Sequence, residues 1–370
     1  MSKHISKHVS EKTIYLDNKS NSNFLINNSI DNRTLLINNI KKKNLPETYI
    51  EEYNEYFIKS NIDLIFRKIY LKKKIYQGSF NKIYNISRIK SDKIDPNLII
   101  RILNYNTDKD SIKNEIKGIE LQYNLYNDCR NIGLIIDYGK IYSNKFQQYY
   151  VILVKYGITL TKYLESNPNY LNLLLPIKFM KKLLVTINDL HSKNYAHLDI
   201  KTCNILLKNI FKFEKNPLDE IDFVLIDFGA SNNFYNDKSK TIDEQSASPA
   251  FSPPELDNMK FGKKTDIWSY GIICYLVCIR QFIFKSNVHK IFRNSDKKTL
   301  YNQIEKELDS LESKLIPYSL KNESDIKKYL YPLKNIQILI NFFKKIFIIN
   351  YNDRPNSFQL LQDPIFTSIT

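Results

Sequence analysis

The pattern of apolar residues changes near Gly157, and this change constrains the fold more strongly than any other feature of the sequence. From about residue 67 up to that point, short apolar runs typical of β-strands follow one another around a single helical stretch at 111–127. Beyond it, apolar residues recur at helical spacing, most clearly over 174–193. The pattern predicts an α+β chain in which a small β lobe with one helix, 67–156, precedes a larger, mainly helical lobe, 157–370.

The same patterns predict the individual elements of both lobes. The strands of the small lobe are expected at 69–76, 82–89, 98–103, 132–138 and 149–156. Further helices of the large lobe are expected at 265–278, 298–314, 333–346 and 356–361. The longest apolar run, 267–284, is interrupted by Arg280 and Gln281, so we interpret it as a buried helix and not as a membrane span.

Residues 1–66 are predicted to form an N-terminal extension that is partly disordered. The first forty residues are rich in Ser, Asn, Lys and Ile without sustained periodicity, a composition that does not favour a packed core. Over 44–66, aromatic residues recur at roughly helical spacing, which predicts a short helix against the following domain.

The net charge of +16 suits an acidic partner such as nucleic acid, but the basic residues are scattered and not clustered. Lys, Asn, Ile and Tyr are abundant while Gly is scarce, a bias typical of an AT-rich genome such as that of a large DNA virus or a protist. The charge is therefore interpreted as genomic bias, and no specific nucleic-acid partner is indicated.

Four cysteines, Cys129, Cys203, Cys274 and Cys278, form no CxxC pair and no Cys/His cluster. The sequence thus indicates neither a zinc site nor a disulfide framework. Cys274 and Cys278 lie four residues apart in an apolar helix and are expected in the core. This cysteine usage favours an intracellular location, most simply the cytoplasm.

The residues His197, Asp199, Lys201 and Asn204 form the most informative segment of the chain, between the helix predicted at 174–193 and an apolar strand. Transfer of a phosphoryl group to a hydroxyl needs a carboxylate to orient the attacking oxygen, a cation near the phosphoryl group and oxygen ligands for Mg²⁺. Asp199, Lys201 and Asn204 supply these groups in one loop.

A second segment delivers another carboxylate, because the apolar run 223–226 ends in Asp227, Phe228 and Gly229. A strand that carries an aspartate to a cleft, followed by a conformationally free glycine, suits a metal-binding carboxylate. In their order, these two segments resemble the H-x-D-x-K-x-x-N and D-F-G signatures of the eukaryotic-type protein kinase family.

The resemblance covers about 69–366 and includes three further segments. Residues 247–255 are similar to the family's A-P-E segment with Pro253 in place of alanine, 266–271 to its D-x-W-S-x-G helix start, and 354–355 to its late R-P. It implies a bilobal kinase-like fold with a small antiparallel β lobe. It also implies structural roles for His197, Gly229, Glu255, Asp266 and Arg354, with Glu255 and Arg354 as a buried ion pair.

The resemblance further implies an ATP-dependent serine/threonine kinase that acts on protein substrates. In it, Asp199 orients or deprotonates the acceptor hydroxyl, Lys201 stabilises the transferring group, and Asn204 and Asp227 hold Mg²⁺, with Mn²⁺ as an alternative. Lys201 and Ser248 resemble the serine/threonine subclass more than tyrosine kinases. The oligomeric state is not indicated.

The implied ATP site combines a glycine-rich loop, a phosphate-binding cation and a hinge. Its residues are Ile75, Gly78, Ile83, Arg101, Glu120, Val154 and Tyr156. The backbone of the hinge, 155–157, is expected to bond the base. Glu120 is the preferred partner of Arg101, and Glu115 is the second candidate.

Leu198 replaces the usual arginine that binds an activation-segment phosphate, so the enzyme is not expected to need such a phosphate. Two other departures from the family pattern leave a second hypothesis open: Gly78 is the single glycine of its loop, and Arg101 replaces the usual lysine. The alternative is a pseudokinase that serves as a nucleotide-binding or scaffolding module. A small-molecule kinase is a third reading, disfavoured by the platform-like segment 248–255.

Overall fold

The computed structural model describes residues 55–64, 66–77, 81–87, 94–103, 109–142, 147–166, 174–208, 222–235, 238–241, 248–255, 260–284, 297–315, 324 and 336–367. Residues 1–54 of the predicted N-terminal extension, and Gly78, lie outside these residues. The strands are β1 (Glu55–Ser60), β2 (Phe66–Gln77), β3 (Asn81–Ser87), β4 (Ile94–Leu103), β5 (Ile135–Tyr142), β6 (Gln147–Val154), β7 (Tyr195–Ala196), β8 (Ile205–Leu207), β9 (Phe223–Leu225), β10 (Asn232–Asn233), β11 (Lys240–Thr241) and β12 (Lys260–Phe261). The helices are α1 (Lys109–Leu125), α2 (Leu160–Ser166), α3 (Leu174–Ser192), α4 (Lys263–Ile279), α5 (Lys297–Asp309), α6 (Leu311–Leu315), α7 (Ile336–Ile346), α8 (Ser357–Leu361) and α9 (Pro364–Thr367).

The small lobe is an antiparallel barrel with one helix packed outside it. Strands β1 to β6 close into a barrel in the order β1-β2-β3-β4-β6-β5. Alternate side chains point inward and fill the interior with apolar groups, among them the fully buried Ile58, Ile100, Ile136 and Ile152. Helix α1 packs on the outer face, where Ile119 contacts Ile135 and Val151.

The helix predicted over 44–66 is wrong in its described part, because Glu55–Ser60 forms β1. This strand pairs with β2 on one side and with β5 on the other. At its end, Ser60 Oγ donates to Asp137 Oδ1 at 2.5 Å, and the hydroxyl of Tyr150 donates to Asp137 Oδ2 at 2.8 Å. These contacts join residues far apart in sequence, so aromatic spacing does not reveal them. The sheet therefore includes residues before the predicted lobe boundary at 67.

Helices α3 and α4 form the centre of the large lobe. Helix α4 is buried along almost its whole length, and the hydroxyl of Tyr270 donates to the carbonyl oxygen of Met180 in α3 at 3.0 Å. This confirms a buried helix over 267–279 of the apolar run and shows that Cys274 and Cys278 are core residues, whereas the helix ends at Ile279 and Phe282 is exposed. In the described part of the chain, no helix combines the length and the apolar character that a bilayer crossing requires.

The structure confirms an α+β fold in which a small antiparallel β lobe precedes a mainly helical lobe. The predicted strands and helices are present with shifted ends; for example, β5 begins at Ile135 and not at residue 132. The helix predicted at 298–314 divides into α5 and α6, and α2 was not predicted. Between the lobes, the hairpin of β8 and β9 places two loops side by side, one before β8 and one after β9.

Candidate active site

The loop between β7 and β8 brings Asp199, Lys201 and Asn204 together. Lys201 Nζ donates to Asp199 Oδ2 at 2.6 Å. The side-chain nitrogen of Asn204 donates to the carbonyl oxygen of Asp199 at 2.9 Å and lies 3.2 Å from its Oδ2. All three side chains are at least partly buried, so the groups expected to carry the chemistry form one fixed cluster.

Asp266, at the start of α4, fixes the backbone of this loop. Its two carboxylate oxygens accept the N–H groups of His197 and Leu198, each at 2.8 Å. His191 Nε2 lies 3.0 Å from Oδ2, and the aspartate is completely buried. Leu198 has a φ of 63°, in the left-handed region. Because an L-residue there is strained, the buried carboxylate is the group that holds the loop in this form.

Asp227 follows β9 and lies beside the first loop. The N–H of Ile226 donates to the carbonyl oxygen of Asn204 at 3.0 Å, and His197 Nε2 lies 3.2 Å from the carbonyl oxygen of Ile226. The ring of His197 packs on that of Phe228, with centroids 4.7 Å apart. The expected structural role of His197 thus corresponds to direct contact with both segments.

The oxygens offered by Asn204 and Asp227 fit a hard divalent cation. The side-chain nitrogen of Asn204 is engaged with Asp199, which leaves its side-chain oxygen as the atom that could bind a metal. Within the described residues, no group of three or more His, Cys, Asp or Glu forms a metal cluster. Two protein ligands suffice for Mg²⁺, which keeps several waters and is completed by substrate phosphates.

Ser248 joins the same cluster from the segment before Glu255. Its hydroxyl donates to Asp199 Oδ1 at 2.9 Å and accepts from Lys201 Nζ at 2.9 Å. Burial disfavours the charged ammonium of Lys201, but the hydrogen bond and the charge of Asp199 outweigh this and raise its pKa. Lys201 therefore carries its positive charge at neutral pH.

Arg101 pairs with Glu115, and the preferred assignment of Glu120 is corrected. Arg101 Nη2 lies 2.6 Å from Glu115 Oε1. Five residues along a helix amount to a rotation of about 140°, so Glu120 lies on a different side of α1 from Glu115. The side chain of Glu120 is exposed. The buried positions Gly118, Ile119 and Gln122 share the Glu115 side of α1, so tertiary packing decides which of the two glutamates reaches Arg101.

Arg101 also offers an unused donor to a nucleotide. Its Nε is buried and has no hydrogen-bond partner among the described residues. A phosphate oxygen would satisfy this group, so the residue fits the phosphate-binding role. In the β3–β4 register Ile83 lies opposite Arg101, whereas Lys82 lies opposite the buried Ile102, and Lys82 is therefore on the other face.

The remaining expected ATP-site residues are Ile75, Gly78, Val154 and Tyr156. Ile75 is exposed on β2, Gly78 lies outside the described residues, and Val154 ends β6 beside the barrel interior. The hydroxyl of Tyr156 accepts the N–H of Leu134 at 2.9 Å, and its burial raises its pKa. This contact fixes the hinge to the residue that precedes β5.

Two hinge amides are already engaged within the protein. The N–H of Lys155 donates to the carbonyl oxygen of Asn97 at 2.7 Å, and that of Gly157 donates to the carbonyl oxygen of Leu207 at 2.9 Å. A base that accepted a hydrogen bond from either amide would have to displace these contacts. The expected bonding of adenine by the hinge backbone therefore needs local adjustment at these two positions.

Glu255 and Arg354 form the expected ion pair below the Ser248 segment. Arg354 Nη1 and Nη2 donate to the two carboxylate oxygens of Glu255 at 2.7 and 2.9 Å. Further donations reach the carbonyl oxygens of Lys264 and Ile348, and the arginine side chain is fully buried. The guanidinium lies 5.0 Å from the ring of Trp268. This network braces the segment that carries Ser248.

Comparison with known proteins supplies the family. A family model described as a protein kinase domain matches residues 69–366, which include the large lobe and the small lobe from β2 onward. The chain belongs to the protein kinase family. The matched region contains both the loop that carries Asp199 and the segment that carries Asp227.

Several curated proteins are similar to this kinase. A probable cyclin-dependent serine/threonine-protein kinase of Dictyostelium discoideum is 29% identical over 272 residues, which are 72% of this chain and 18% of that protein. A probable serine/threonine-protein kinase 2 of Plasmodium falciparum is 28% identical over 240 residues, 62% of this chain and 42% of that protein. The serine/threonine-protein kinase ppk34 of Schizosaccharomyces pombe is 34% identical over 114 residues, 30% of this chain and 29% of that protein. This kinase spans less than half the length of each of these relatives.

Proposed function

We propose that this kinase is catalytically active and transfers the γ-phosphoryl group of ATP to serine or threonine hydroxyls of protein substrates. The observation that carries the proposal is the contact of Asp199, Lys201 and Ser248. A serine hydroxyl donates to Asp199 at 2.9 Å while a charged lysine donates to the same hydroxyl oxygen at 2.9 Å. The site already accepts a serine hydroxyl between a base and a cation, which is the chemistry that an acceptor residue needs.

Each residue has a separate task in this mechanism. Asp199 accepts a hydrogen bond from the acceptor hydroxyl and orients its oxygen, and Lys201 stabilises negative charge on the transferring group. Asn204 and Asp227 hold Mg²⁺, or Mn²⁺ in its place, through their side-chain oxygens. The bound metal offsets the charge of the phosphates. Arg101 donates to a phosphate oxygen through Nε while Glu115 holds its other end.

The curated relatives support the acceptor class, since three of them carry serine/threonine-protein kinase in their names. The segment from Ser248 to Glu255, braced by Arg354, offers a platform for a protein chain beside Asp199. We also propose that the protein acts inside the cell, where ATP is supplied and where an exposed thiol such as Cys203 stays reduced.

The alternative function is a pseudokinase that binds nucleotide as a scaffold, and Arg101 in place of lysine favours it. The two functions separate when the purified protein is incubated with γ-labelled ATP, Mg²⁺ and a mixture of generic acceptors, and the labelled phosphoamino acids are identified. We expect phosphoserine and phosphothreonine from the wild type and none from Asp199→Ala. Equal background labelling in both proteins, with nucleotide still bound, would establish the pseudokinase.

A further inference from the structure

One face of helix α1 contacts the segment that carries Asp227. Glu115, Gly118 and Gln122 follow one another at spacings of three and four residues, so they lie on the same side of the helix. Glu115 reaches Arg101, as described above. The other two residues contact the backbone of residues 227–229. A single helix face thus serves both the phosphate-binding arginine and the metal-binding segment.

Gln122 joins α1 to Asp227 through its side-chain amide, which is buried with 4% exposure. Its Nε2 donates to the carbonyl oxygen of Gly133 at 2.7 Å, and its Oε1 accepts the N–H of Asp227 at 3.3 Å. Gly133 contributes an acceptor and Asp227 a donor, so the two partners fix the orientation of the amide. Both ends of the amide are used, and one of them holds the backbone of the metal ligand.

Gly118 allows the backbone of Phe228 and Gly229 to lie close to α1. A Cβ atom at position 118 would lie 2.5 Å from the backbone nitrogen of Gly229 and 2.5 Å from the carbonyl carbon of Phe228. Any larger residue would therefore push the helix and the segment apart. With glycine, the backbone of the segment lies directly against the helix, within reach of Gln122.

Asp227 needs such support because its backbone is in an unfavourable conformation. Its φ is 69°, in the left-handed region that side chains other than glycine adopt with strain. Residues with a strained backbone keep their conformation only where several surrounding contacts hold it. The conformation also sets the direction of the carboxylate, because φ fixes the direction in which the side chain leaves the backbone.

We propose that Gln122 is a positioning residue for Asp227: by holding its N–H, Gln122 directs the carboxylate to Mg²⁺. The proposal rests on the proposed function, because it assumes that Asp227 is a metal ligand. Because both ends of its amide are used by protein groups, Gln122 acts on the metal ligand through the backbone of Asp227. Loss of its amide would leave the partly buried N–H of Asp227 without its acceptor and loosen the segment.

The test measures metal binding without turnover. Mg²⁺ is titrated calorimetrically into the protein with a non-hydrolysable ATP analogue, for the wild type, Gln122→Met and Asn124→Met. Asn124 is an exposed amide on the same helix, so its replacement makes the same chemical change away from the segment. Melting temperatures without ligand are recorded for all three proteins, because a merely structural role would lower them without changing the Mg²⁺ dependence.

We expect Gln122→Met to need roughly tenfold more Mg²⁺ than Asn124→Met, since one partly buried hydrogen bond positions the ligand. Its melting temperature should fall as well, because the variant leaves the carbonyl oxygen of Gly133 and the N–H of Asp227 without their partner, so the Mg²⁺ dependence decides the proposal. If the methionine variant does not fold, Gln122→Asn keeps the site polar but is too short to reach both partners, and the same shift is expected. An unchanged Mg²⁺ dependence, or analogue binding that falls equally with and without Mg²⁺, would overturn the proposal, as would a wild type that binds no analogue.

Failure of the proposed function gives a different result. A wild type that transfers no phosphate, yet binds the analogue with Mg²⁺ in a way that depends on Gln122, would exclude activity and support the positioning role. If the wild type and Gln122→Met both transfer phosphate, and their rates depend on Mg²⁺ concentration in the same way, the positioning role is excluded and activity is supported.

Discussion

Replacement of Arg101 by methionine tests whether this arginine, and not another cation, binds the phosphates of ATP. Methionine keeps the apolar stem but removes both the Nη2 contact to Glu115 and the buried Nε donor. A hydrogen bond to a charged group contributes about 1.5–3 kcal/mol, which is a factor of roughly 10 to 150 in kcat/KM for ATP. Glu115 is 26% exposed, so water limits the added cost of leaving it unpaired.

The matched control is Lys82→Met, on the strand next to Arg101 but on the opposite face. Steady-state kinetics with the acceptor at saturation should show the loss in Arg101→Met and little change in Lys82→Met. Arg101→Lys should restore part of the rate and should not exceed the wild type, because Glu115 is placed for a planar guanidinium. A loss in Lys82→Met as large as that in Arg101→Met would refute the assignment, and a gain in Arg101→Lys would show that the arginine limits catalysis.

Three further predictions concern the support of the site. Glu115→Ala should lower kcat/KM for ATP by about tenfold, because Arg101 loses its charge-assisted partner. Glu120→Ala should leave kcat/KM unchanged, and equal effects of the two variants in steady-state kinetics would contradict the assigned ion pair. Glu255→Gln should lower the free energy of unfolding by about 3 kcal/mol, because it leaves the guanidinium of Arg354 buried without its carboxylate. A denaturant titration that shows a loss below about 1 kcal/mol would contradict this prediction. Phosphatase treatment should leave the activity unchanged, because Leu198 offers no charge to an activation-segment phosphate; a marked fall in a radiometric assay would refute it.

The cluster of Asp199, Lys201 and Asn204 could be predicted from the sequence because the three residues are close in the chain. They lie within six positions, so a short loop keeps their side chains near one another. The burial of α4 was also predictable, because its apolar residues cover all sides of the helix.

Other parts of the site depend on contacts that the sequence does not display. The choice between Glu115 and Glu120 depends on which side of α1 faces the sheet, and that is decided by tertiary packing. The strand β1 was mistaken for a helix because its partners, such as Asp137, are distant in sequence. Gln122 was missed because its partner Asp227 lies 105 positions further along the chain.

The central claim, that this kinase catalyses phosphoryl transfer with Asp199 as the residue that orients the acceptor, is tested most directly by the rate of transfer in Asp199→Asn. Asparagine keeps the shape and a hydrogen-bond acceptor but lacks the charge that accepts the proton. With ATP-analogue affinity measured in parallel, the account predicts a rate lower by about 10²- to 10⁴-fold at nearly unchanged nucleotide affinity. A rate of transfer equal to that of the wild type, or no transfer by the wild type itself, would contradict it.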